Sequence, residues 1–149
     1  MKEFLINNWI FDNKSLYNIN VGDKILDSLE KLKSEKAILM GENSNGYYYL
    51  SNGFRFGFSS DIVDEIGIDF SQSKAKIFLN NNDDIINLSE SKIHEVLNYL
   101  NDHFVKWTPI ENKDPHIFII KLLEKDLFFI FDIYEGTLDK IAKSNPERT

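Results

Sequence analysis

Residues 53–70 read GFRFGFSSDIVDEIGIDF, with apolar side chains at every second position on both sides of a short polar break. Alternation at period two belongs to a β-strand with one face in a core and the other outside it. The stretch therefore predicts an antiparallel hairpin, with Phe54–Phe58 turning at Ser59, Ser60 and Asp61 into Ile62–Phe70. In register, Phe54, Phe56 and Phe58 share a face with Ile66 and Ile68, while Arg55, Gly57, Glu65, Gly67 and Asp69 occupy the opposite one. Rings at this spacing also occur where RNA-recognition modules stack bases, but those need a βαββαβ order and a basic surface. Burial is the default for such rings, and the expectation is a core face.

The pattern occurs twice. Gly22-Asp23-Lys24-Ile25 with Leu29 and Leu32 matches Glu90-Ser91-Lys92-Ile93 with Leu97 and Leu100 at an offset of 68. Phe54–Phe58 matches Leu127–Phe131 at an offset of 73, and Ile62–Ile66 matches Thr137–Ile141 at an offset of 75. Residues 21–35 carry Ile25, Leu26, Leu29 and Leu32 as a helical stripe. Residues 88–104 carry Ile93, Val96, Leu97 and Leu100 on another, with Ser89 as the expected N-cap and Lys92 where a capping box would want Glu. Ala37–Met40, Tyr47–Leu50, His116–Leu123 and Leu127–Asp132 read as strands, KWTPIENKDP and NNNDD as connections, and Ser144–Thr149 as a frayed tail. The expectation is one α+β domain over 1–149, an antiparallel meander packed with two amphipathic helices. It consists of pseudo-repeats of a helix plus about three strands, near 20–70 and 88–143. Growing offsets require only small loop insertions, which cost little.

The second copy differs in one respect. Where the first has Arg55 and Gly57, it has Phe128 and Ile130, so HIFIIKLL and LFFIFD are apolar on both faces. Such strands need cover on both sides. The N-terminal segment with Trp9 and Phe11, the other repeat or a partner chain can supply it, and internal cover is the expectation.

Composition narrows the chemistry. The formal net charge is −7, spread evenly over both halves, which repels phosphate backbones and attracts basic surfaces. There is no cysteine, so disulfides, thiolate zinc sites and cysteine nucleophiles are excluded. Glu3, Asn7, Asn8 and Asp12 interrupt any signal-peptide core, and no apolar run reaches the ~20 residues of a membrane span, so a cytoplasmic protein is expected.

His94, His103 and His116 have no partner at metal-ligand spacing, and NNNDD lacks the glycine and terminal glutamate of a calcium loop. No phosphate loop, dinucleotide fingerprint or nucleophile elbow occurs. No catalytic residue, metal or cofactor is assigned. The candidate binding residues are Tyr47, Tyr48 and Tyr49, of which at least one must leave the core, together with Arg55, Asp64, Glu65 and Asp69 around the hairpin.

In its size, its acidity, its lack of cysteine and the twice-repeated phrase NVGDKILDSLEKL followed by GFRFGFSSDIVDEIGIDF, the chain over about residues 20–143 resembles immunity proteins of bacterial polymorphic toxin systems, such as those of contact-dependent growth inhibition. The resemblance implies a stoichiometric 1:1 inhibitor of a cognate toxin, expected to be a basic nuclease, with no catalytic residues carried across. Neither nucleic acid nor membrane is expected as a partner, given the net charge of −7 and the absence of a long apolar run. Strand addition at Ala37–Met40 or Ile117–Leu122 is a second docking route. The rival readings are a nucleic-acid-binding or structural accessory domain, and a small hydrolase with an unfamiliar site, for which His94 or His116 beside a carboxylate in a cleft would be the sign.

Overall fold

The computed structural model describes residues 2–12, 15–42, 45–123 and 125–144. The chain begins with β1 (Glu3–Leu5) and α1 (Asn7–Ile10), then a 3-10 turn (Ile25–Ser28) runs into α2 (Leu29–Ser34). A first meander follows: β2 (Ile38–Glu42), β3 (Asn45–Tyr49), β4 (Phe54–Ser59) and β5 (Ile62–Asp69). The hairpin β6 (Lys76–Asn81) and β7 (Asp84–Asn87) leads to α3 (Ile93–Asp102), and a second meander closes the chain with β8 (Trp107–Ile110), β9 (Ile117–Leu122), β10 (Leu127–Asp132) and β11 (Thr137–Ser144). The two meanders form one eight-stranded antiparallel sheet in the order β2-β3-β4-β5-β11-β10-β9-β8. β1 pairs in parallel with β6 in a small three-stranded sheet, β1-β6-β7. The protein is α+β, as expected, with four strands per repeat rather than three.

The repeat is present in hydrogen bonds as well as in sequence. The isolated bridge Lys24–Ile62 recurs as Lys92–Thr137. The Ile25 N–H donates to Asp61 O at 2.8 Å, and the Ile93 N–H to Gly136 O at 2.9 Å. Both helices end on a left-handed residue, Lys36 at φ 57° and Phe104 at φ 58°. The Ala37 and Val105 N–H groups then return to the Leu32 and Leu100 carbonyls, each at 2.9 Å. A β-bulge falls between Gly57 and Phe58 in the β4–β5 pairing and between Ile130 and Phe131 in the β10–β11 pairing. In both, the extra residue is an aspartate, Asp64 on β5 and Asp139 on β11. Bulges cost a ladder bond and redirect a strand, and one falls at the corresponding place in each half.

One face of the large sheet is the core. Phe54, Phe56, Ile66, Ile68, Ile120, Leu122, Phe129, Phe131 and Ile141 are buried in a single cluster with Ile6, Trp9, Ile10, Ile25, Leu32, Ile77, Leu79, Val96 and Leu100. Phe54 meets Phe4 at 5.2 Å and Tyr17 at 5.6 Å between ring centroids, tilted or edge-on as aromatic quadrupoles prefer. The phenylalanines of GFRFGF are core. Trp9 also belongs to the core cluster, and Phe11 packs against it.

Several expectations change. The first helix is broken: Lys24 is held extended by its bridge to Ile62, the chain tightens into the 3-10 turn, and Leu26 ends 66% exposed rather than in the stripe. Ser89 does not cap α3. Its hydroxyl accepts from the Ile77 N–H at 3.0 Å, and the helix starts three residues later, where the Lys92 N–H donates to the Glu95 carboxylate at 2.9 Å. KWTPIENKDP is not only connection, since Trp107–Ile110 pairs with β9 as an edge strand, a place that tolerates Pro109. Ile117–Leu122 is therefore not an edge. The NNNDD turn holds Asn82 and Asp83, both at positive φ, as the two-residue link of the β6–β7 hairpin. Of the tail, Ser144 completes β11 and residues 145–149 lie outside the described residues.

Candidate functional site

The second face of the sheet is built by the residues between the core residues. In register from β2 to β8 it presents Ile38 and Met40; Tyr47 and Tyr49; Arg55 and Gly57; Glu65, Gly67 and Asp69; Lys140 and Ala142; Phe128 and Ile130; Ile119 and Lys121; Thr108 and Ile110. None of them belongs to the hydrophobic core cluster. Phe128, Ile130, Ile119 and Ile110 are half-buried, so the two-sided apolar strands present their second side outside the core, where internal cover was expected.

On the first meander this face is ordered into a ladder. The Arg55 guanidinium donates to Glu65 Oε1 at 2.5 Å and lies 5.4 Å from the centre of the Tyr47 ring. Tyr47 in turn packs on Tyr49 at 5.9 Å. Two glycines make room for it. A Cβ at Gly57 would stand 2.7 Å from the Tyr47 ring, and one at Gly67 would stand 3.1 Å from Arg55 Nε. The Tyr47 ring and the Arg55 side chain thus pass close over bare backbone, held by the cation–π contact, the tilted ring pair and the ion pair. Asp69 closes the row, its carboxylate accepting from the Ser71 N–H and hydroxyl at 3.1 and 2.7 Å.

Five of the seven residues singled out from sequence are brought together here: Tyr47, Tyr49, Arg55, Glu65 and Asp69. Two are not. Tyr48 takes the opposite parity and packs on Phe58 at 5.6 Å, on the core side. Asp64 is the extra residue of the bulge and is only 6% exposed, beside a cavity of about 200 Å³ under Gly41, Gly46 and Tyr47. Its counterpart Asp139 has its carboxyl pushed above the usual range, chiefly by burial, with Lys140 opposing and Asp69 and Asp132 adding to the rise. Sequence reasoning missed the apolar extension of the site through Ile119 and Ile110, and the signal that held it was the double-sided apolarity of β9 and β10.

Among the described residues the histidine that meets a carboxylate is His103, 2.7 Å from Asp84 Oδ2 and tilted against the Tyr99 ring at 4.4 Å between centroids, an arrangement that ties β7 to the end of α3. His116 stacks on Tyr134 at 4.3 Å at the far end of the second meander. Among the described residues no three His, Asp or Glu converge as a metal-ligand set, and no helix is long and apolar enough to cross a membrane. No protein-family model matches the chain, and comparison with curated proteins and with solved structures gave no match.

Proposed function

We propose that this chain is a protein-binding module whose docking surface is the second face of the large sheet. More particularly, we propose an immunity protein that holds a cognate bacterial toxin 1:1 and occludes its active site. The observation that carries the reading is the ladder Tyr49–Tyr47–Arg55–Glu65 on its glycine floor, continuous across the β5–β11 seam with Phe128, Ile130 and Ile119. Tyrosine and arginine anchors beside a half-buried apolar strip are the composition of binding hot spots, and prior ordering lowers the entropy lost on docking. The net charge of −7 favours a basic partner such as a nuclease domain, with association accelerated at low salt.

The test is co-expression with the C-terminal domain of the open reading frame immediately upstream. The reading expects cells to survive and the two chains to copurify 1:1. Copurification that persists when Tyr47, Tyr49 and Arg55 are all changed to Ala would move the site elsewhere, and binding to nucleic acid at moderate salt would favour a different class of protein.

A further inference from the structure

The segment before β1, the end of α2 and the link from β5 to β6 meet at a cleft of about 820 Å³. That falls within the about 300–1,000 Å³ of small-molecule sites. Each of the three segments brings a lysine. Lys2 is placed by the parallel pairing of β1 with β6, and its carbonyl accepts from the Lys76 N–H at 2.9 Å. Lys36 is the left-handed residue that ends α2, and Lys74 stands just before β6. Among the described residues their ammonium groups make no ion pair or hydrogen bond. Lys31 adds a fourth cation, 5.8 Å from the centre of the Tyr17 ring on the cleft wall. Glu3 and Glu35 line the same cleft, and Glu35 already pairs with Lys31 at 3.7 Å. The local balance is therefore positive, against the sign of the whole chain at −7.

The wall of the cleft is ordered. Phe4 and Tyr17 both pack on Phe54, at 5.2 and 5.6 Å. Asn52 Oδ1 accepts from the Phe54 N–H at 3.1 Å, and its amide nitrogen donates to the Tyr17 hydroxyl oxygen at 2.8 Å. The hydroxyl hydrogen is then left for another acceptor. Burial raises the phenol above its usual 10.0, with the Asn52 bond opposing and Glu35 adding to the rise, so the group stays a neutral donor at pH 7.

We propose that this cleft binds a small organic phosphate, with Lys36, Lys74 and the Tyr17 hydroxyl around the oxyanion and with Phe4 and Leu50 against its apolar body. A phosphate suits several ammonium groups better than a carboxylate does, because it carries nearly two charges at pH 7 and three strong acceptor oxygens. The site is separate from the docking face, since Tyr47, Arg55 and Glu65 lie outside it.

The probe is phenyl phosphate, titrated into the full chain and followed by amide chemical shifts. Saturable shifts centred on residues 2–4, 34–36, 50–52 and 74–75 are expected, with phenyl phosphate at least about tenfold tighter than inorganic phosphate, benzoate or phenol. Lys36→Gln/Lys74→Gln is expected to weaken binding at least about tenfold with an unchanged unfolding midpoint, while Lys36→Arg/Lys74→Arg keeps it. Tyr17→Phe is expected to weaken it about three- to tenfold. Tyr47→Ala/Arg55→Ala should leave it unchanged, so this site and the docking face stand or fall separately. No saturation by about 10 mM overturns the proposal. So do shifts that sodium chloride reproduces at the same ionic strength, a glutamine variant that binds like wild type, and phenol, benzoate or inorganic phosphate binding as tightly as phenyl phosphate.

Discussion

Gly67 and Ala142 stand opposite each other where β5 meets β11, and the offset of 75 that aligns the two strands carries the first onto the second. The pair is its own image. The pairs Asp69–Lys140 and Glu65–Ser144 on either side of it exchange with one another, so a pseudo-two-fold axis passes between Gly67 and Ala142. The seam is also where the ordered ladder of the first meander meets the apolar strip of the second, and two of the smallest side chains of the second face, Gly67 and Ala142, lie there.

That placement makes the seam sensitive to volume. A Cβ on Gly67 would stand 2.9 Å from Ile141 O, which is backbone and cannot yield, so Gly67→Val should cost about 1–3 kcal/mol in urea unfolding. Gly57→Ala crowds the Tyr47 ring, which can swing away, and reaches Glu65 Cβ only at an ordinary 3.4 Å. It should cost less than about 1 kcal/mol while weakening partner binding.

The phenylalanines of the opening motif and the tyrosines beside them should separate cleanly. Phe56 is fully buried, and Phe56→Ala is expected to destabilise by about 3–5 kcal/mol. Tyr49→Ala, on the second face, should stay within about 1 kcal/mol of wild type. Equal losses in chemical denaturation would contradict the assignment of faces.

Arg55 and Glu65 form a part-buried pair, with side chains 13% and 16% exposed. Truncating either leaves the other without its counter-charge. A double-mutant cycle with Arg55→Met and Glu65→Met should therefore show a coupling of about 1 kcal/mol, with the double variant less destabilised than the two singles added together.

Asp139 gives a pH dependence of defined sign. Its folded-state carboxyl titrates above the unfolded value of 3.8, mainly because of burial. The native state therefore holds the proton more tightly, and this group's contribution to stability falls as pH rises through that window. Asp139→Asn should be more stable than wild type at pH 7, with the difference vanishing below pH 3.8. A stability gain independent of pH would contradict this account.

Ser89→Ala tests the reassigned hydroxyl. It should cost about 1–2 kcal/mol by orphaning the buried Ile77 N–H, with helix content by circular dichroism unchanged. A loss of helicity would restore Ser89 as the cap of α3.

Much of this was legible in the sequence because it is local and periodic. The ring hairpin, the repeat and its three offsets follow from spacing alone, and the offsets reappear as bridges, bulges and helix ends. What was not legible depends on tertiary choices. Ser89 has the chemistry of a cap and is recruited by β6 instead, and Trp107–Ile110 looks like a linker because its proline is tolerated only at an edge. Tyr48 cannot be told from Tyr47 and Tyr49 until the pairing with β4 sets parity. Asp64 reads with Glu65 in the sequence until the bulge makes it the extra residue.

The most direct measurement is calorimetric titration of the proposed partner, the C-terminal domain of the upstream open reading frame, with the wild-type chain and with Tyr47→Ala/Arg55→Ala. The second-face account predicts a 1:1 complex, a loss of at least about 100-fold in affinity for the double variant, and an unchanged unfolding midpoint for Tyr49→Phe as a fold control. A double variant that binds as tightly as wild type would contradict it.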